Sequence, residues 1–116
     1  MNHVKLLING QDVDAQSGAT FVRKSPITGE VVSTAAAAGV ADVKAAIDAA
    51  QAAFPAWAAK SPLERRALLN AAAAKLRAKS GEFSRLCVEE TGAIGGWGHF
   101  NTGFAATIIE EAGAMT

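Results

Sequence analysis

At 116 residues the chain has room for one modest domain or part of one, too little for both a cofactor-binding fold and a separate substrate domain. Eleven basic side chains balance eleven acidic ones, so no net field recruits nucleic acid or an anionic membrane surface. Half of the residues are hydrophobic, yet alanine takes much of that share; five Phe, two Trp and no Tyr leave the large core formers few.

Val4 to Ile8 is a short apolar run ending in Asn9-Gly10, the dipeptide that supplies the positive φ angles of a tight turn, so a β-hairpin is predicted over residues 4–14. Strands follow between residues 21 and 34, at Phe21-Val22 and Glu30–Thr34, around a Ser-Pro-Ile-Thr-Gly turn. From Asp42 the period changes. Val43, Ile47, Ala50 and Phe54 make one stripe of an alanine-rich helix that Pro55 should end or distort. Ser61-Pro62-Leu63-Glu64 is a capping box, opening a helix with Leu68, Leu69, Ala72, Ala73 and Leu76 inward and Arg65, Arg66, Lys75, Arg77 and Lys79 mostly outside that stripe. Ser80-Gly81 interrupts it. A third helix carries Phe83, Leu86 and Cys87 on one face and ends near Thr91-Gly92; after a glycine-rich turn, residues 101–114 are helical again. The expected fold is α/β, with short strands and turns over 1–38 and about four helices over 39–116. The chain stops on an apolar Ala-Gly-Ala-Met run before Thr116, as though in mid-element.

Residues that could carry chemistry are few. Cys87 is the only thiol and can form no internal disulfide, which fits a reducing compartment, with the cytoplasm as the expected location. It sits in mid-helix between Leu86 and Val88, the setting of a structural cysteine, with no helix N-terminus or histidine beside it in sequence to activate it. His3 and His99 have no Cys or carboxylate at metal-ligand spacing. The glycines at 92, 95, 96 and 98 fit neither a dinucleotide nor a P-loop pattern, and Glu89-Glu90 reads as a solvated helix end. No signal peptide or membrane span is present in the pattern. Trp97, Phe100 and Phe104 remain, as core or interface packing or as one wall of an aromatic-lined pocket.

The order of INGQDV, SPITGEVVSTAAAAG, and the stretch from ADVKAAIDAA through FPAW and SPLERR to EETG resembles the N-terminal segment of the NAD(P)-dependent aldehyde dehydrogenase superfamily. The Gly-Trp-x-x-Phe-Asn stretch leading to Glu-Ala-x-Ala-Met-Thr is similar to its bacterial branch acting on aromatic aldehydes, salicylaldehyde first among them, with vanillin and benzaldehyde beside it. The resemblance implies a substrate-tunnel role for Trp97, Phe100, Gly103 and Phe104, Gly103 leaving room where a side chain would narrow the channel. Members are roughly four times this length. Their nucleophilic cysteine, general-base glutamate, oxyanion-binding asparagine and dinucleotide loop all come later, and Cys87 does not match the nucleophile's position. The implied chemistry is thiolate attack on the aldehyde, hydride transfer to NAD or NADP, and hydrolysis of the thioester. The implied partners are a small aromatic aldehyde, the rest of the chain and, in a full-length enzyme, further copies of itself. This segment alone is expected to hold no catalytic, cofactor or metal residue and to be inactive. Two other readings stay open: a self-contained helical interaction module, and a truncated regulatory paralogue that joins full-length subunits.

Overall fold

The computed structural model describes residues 2–116, which fall into two compact units, the first ending at Ala59 and the second spanning Lys60–Thr116. In the first unit, strands β2 (Leu6–Ile8) and β3 (Gln11–Val13) pair antiparallel as a hairpin, Leu6 opposite Val13. Asn9 and Gly10 adopt φ of 52° and 72°, the two left-handed residues that a two-residue hairpin loop demands. Strands β4 (Thr20–Lys24) and β5 (Val31–Ala36) are likewise antiparallel, joined by a turn in which the Ser25 hydroxyl accepts from the backbone N–H groups of Ile27 and Thr28. What local sequence did not announce is β1 (Asn2–Val4), which pairs parallel to β5 and gives a three-stranded sheet in the order β1-β5-β4.

Helix α1 (Val40–Ala58) runs through Pro55 instead of ending there. Pro55 lies in the last turn, where its missing N–H costs one bond and the chain has only three more helical residues to place. At the other end Asp42 receives the Gly39 N–H on Oδ2 (2.8 Å) and the Gln16 N–H on Oδ1 (3.0 Å), joining the helix start to the segment after β3. Val43, Ile47 and Phe54, the stripe that the periodicity marks as apolar, are exposed.

The second unit is helical. Ser61 and Glu64 cap α2 (Pro62–Ala78) reciprocally: Ser61 Oγ accepts from the Glu64 N–H, and Glu64 Oε2 accepts from the Ser61 N–H at 2.8 Å. Leu69, Ala73 and Leu76 turn inward, while Leu68 and Ala72 do not. Helix α3 (Ser80–Thr91) ends at Gly92, whose φ of 73° terminates it. Helix α4 spans Gly95–Ala114 and packs against both α2 and α3. The glycine-rich stretch is therefore the first turn of a helix and not a turn between helices. Glycine is a poor helix former, but packing overrides that preference here: a Cβ on Gly98 would lie 2.5 Å from the Cα of Ser84, so only glycine lets α4 come this close to α3.

Candidate functional site: the outer face of helix α4

The buried residues of α4 are Gly98, Thr102, Ala106 and Gly113, a face of small side chains. Its large side chains point the other way. Trp97, Phe100, Phe104 and Ile108 recur at three- and four-residue spacing and are each more than half exposed. Trp97 and Phe100 stack with ring centroids 5.7 Å apart and planes at 25°; Phe100 and Phe104 stack at the same distance and 10°. The result is a ladder of three rings, within the separations at which aromatic pairs attract.

Of the four residues expected at a pocket, these three come together. Gly103 stands on the flank, about 60° around the helix from Phe100. A Cβ there would meet nothing within 4 Å, and its carbonyl accepts from Arg77 Nη1 (3.3 Å) and from the Thr107 hydroxyl (3.2 Å). Arg77 reaches across from α2, also donating to Thr107 Oγ1 (3.1 Å) and Glu110 Oε2 (2.7 Å). Nothing in local sequence distinguishes Arg77 from the other basic residues of α2, because its partners lie 26 to 33 positions away. Asn101 was marked only as the last residue of the Gly-Trp-x-x-Phe-Asn stretch, with no role of its own. It lies one turn beyond Trp97, whose carbonyl accepts from Asn101 Nδ2 at 2.8 Å, and that i, i+4 spacing is the one signal that could have drawn attention to it.

The other polar residues are held within the fold. Cys87 Sγ lies 3.6 Å from Thr91 Oγ1 in the middle of α3, His99 Nδ1 is 2.9 Å from the Ser80 hydroxyl, and Glu89 pairs with Arg85. Ser84 donates to the carbonyl of Gly95 at 2.7 Å, and Gly95 and Gly98 lie against Ser84, so these two glycines serve the contact with α3. On the first unit, His3 and Lys5 flank Asp14, whose carboxyl is held below its usual range chiefly by the hydrogen bond from His3. A groove of about 170 Å³ between the hairpin and α1 is lined by Leu6, Leu7, Ile8, Val43 and alanines, with Asp42 already engaged. Among the described residues no group of three or more His, Cys, Asp or Glu is placed to hold a metal, and no helix is long and apolar enough to cross a membrane.

The sequence model of the aldehyde dehydrogenase family matches residues 13–116. The chain belongs to the aldehyde dehydrogenase family. Its order of short strands and four helices is that of the N-terminal part of the aldehyde dehydrogenase fold. A vanillin dehydrogenase from Pseudomonas fluorescens is 52% identical over all 116 residues, which cover 24% of that enzyme. The crystal structure of a salicylaldehyde dehydrogenase from Pseudomonas putida G7 complexed with salicylaldehyde superposes with a TM-score of 0.94 at 36% identity, over 99% of this chain and 24% of that one. An NAD-dependent benzaldehyde dehydrogenase from Corynebacterium glutamicum matches at a TM-score of 0.90 and 29% identity, over 97% of this chain and 24% of that one. The chain thus spans about a quarter of the length of these aldehyde dehydrogenases, and it falls with their aromatic-aldehyde branch.

Proposed function

We propose that this segment supplies one wall of the aldehyde site in a longer NAD(P)-dependent dehydrogenase that oxidises an aromatic aldehyde to the carboxylic acid. The observation that carries the reading is the exposed ladder of Trp97, Phe100 and Phe104, a surface on which a flat ring can stack. Its kinship with vanillin and salicylaldehyde dehydrogenases supports the same substrate class, the higher identity favouring a vanillin-like ring. Residues 1–116 are on this reading an incomplete part of one domain, strands and turns over 1–38 and helices over 39–116. NAD or NADP, held by residues outside this segment, would accept the hydride.

Within the segment the work is binding and orientation. Each stacked ring pair is worth roughly 0.5–1.5 kcal/mol beyond the area it buries. Gly103, with no side chain, leaves the flank of the wall clear. The test is steady-state kinetics on the full-length protein with benzaldehyde and with a short aliphatic aldehyde. Phe100→Ala and Phe104→Ala should raise the KM for benzaldehyde about tenfold relative to that for the aliphatic substrate, and Gly103→Leu should act in the same direction by narrowing the approach. Equal effects on both substrates, or no oxidation of benzaldehyde at all, would overturn the proposal.

A further inference from the structure

We infer that Asn101 sets substrate preference at this site by accepting a hydrogen bond from a hydroxyl group on the aromatic ring. The inference rests on the reading of α4 as a pocket wall. Along the ring ladder from Trp97 to Phe104, Asn101 is the polar side chain on this face, four residues after Trp97 and three before Phe104, with Glu111 lying beyond Ile108. A binding surface that is mostly apolar fixes the orientation of its ligand through just such isolated polar groups.

The orientation of the Asn101 amide follows from its surroundings. The atom facing the carbonyl oxygen of Trp97 at 2.8 Å must be the NH₂, because two oxygens would repel there. With Nδ2 turned back onto the helix, Oδ1 is directed away from that carbonyl and accepts no hydrogen bond from any described residue. It is an acceptor presented beside stacked rings. A ring lying on the ladder with a hydroxyl at its rim satisfies that oxygen; a ring with hydrogen or a methyl ether at the same place leaves the acceptor without a donor as water is excluded. Arg77, the cation that reaches α4 from α2, is committed to Glu110, to Thr107 and to the Gly103 carbonyl. The face therefore favours a neutral hydroxyl over a ring carboxylate.

The experiment uses the full-length protein and a panel of ortho-, meta- and para-hydroxybenzaldehyde, their methyl ethers and benzaldehyde, at a pH that keeps the phenol protonated. The quantity read is the ratio of kcat/KM for the best hydroxylated ring to that for its methyl ether. Asn101→Leu, which keeps the approximate volume and removes the acceptor, should lower this ratio tenfold or more, mainly through KM. Asn101→Gln, which keeps both an acceptor oxygen and an amide donor on a longer stem, should hold the ratio within about threefold. An unchanged ratio in Asn101→Leu, or an equal loss in both variants, would refute the role of Asn101 while leaving the aromatic wall intact. If the wild-type protein oxidises none of these aldehydes, the wall reading and this inference fall together.

Discussion

Asp42 shows how one buried carboxylate can hold two distant pieces of backbone. Only 4% of its surface is exposed, and its oxygens receive the N–H groups of Gly39 and Gln16. The Gly39 N–H, then the Gln16 N–H, hold the Asp42 carboxyl below the usual aspartate range, outweighing the opposing effect of its burial. A carboxyl depressed in the folded state contributes stability that is fully present above its unfolded pKa and is lost as the pH falls through the folded one. Hydrogen exchange at the Gly39 and Gln16 amides should therefore lose protection on acidification below the ordinary aspartate range, after correction for intrinsic exchange rates, and Asp42→Ala should abolish that pH dependence. A second pair of residues separates packing from propensity. Gly98→Ala sets a methyl 2.5 Å from the Ser84 backbone and should destabilise the contact between α4 and α3 by about 1–3 kcal/mol, whereas Gly96→Ala meets nothing within 4 Å and should stabilise the helix by about 0.5–1 kcal/mol. Amide exchange along α4 reads both, with protection falling in the first variant and rising in the second.

At the level of elements, what was legible in the sequence was what is decided locally. The Asn9-Gly10 hairpin, the Ser61–Glu64 cap and the Gly92 stop each depend on residues a few positions apart, and all three stand where the pattern put them. The parallel pairing of β1 with β5 joins Asn2 to Ser33 across 30 residues, and no periodicity carries that information. The start of α4 was misread for the opposite reason. Its glycines carry a strong local signal for a turn, and a tertiary contact with Ser84 overrules it. The three aromatic residues were visible by type and spacing, but their stacking and outward direction follow from which face of α4 meets α2 and α3, and that depends on partners such as Leu69 and Arg77 in another helix. Asn101 stood in a quoted motif but gained no role there, because a lone asparagine at a helical position is ordinary until its neighbours are known.

Taken as a whole, the molecule hides little that is large. Among the described residues the buried hydrophobic ones are Ala15, Ala36, Ala73 and Ala106, and no bulky side chain is fully enclosed. Val43, Ile47 and Phe54 on α1 and the rings on α4 are all exposed, an amount of apolar surface that a solitary soluble domain seldom shows. The isolated 116-residue polypeptide should accordingly bind a hydrophobic dye, melt without a sharp transition and form no NADH from an aldehyde. A cooperative melt of a monomer would favour the interaction-module reading, and co-purification with a larger homologue would favour the regulatory paralogue. The inside-out arrangement of α4 carries a consequence for how such a surface can change over time. Because the helix is anchored through Gly98, Thr102, Ala106 and Gly113, exchanging Trp97, Phe100 or Phe104 leaves that anchoring face untouched, so on the proposed reading of the outer face as a pocket wall new ring selectivities are reachable by single substitutions that the scaffold tolerates.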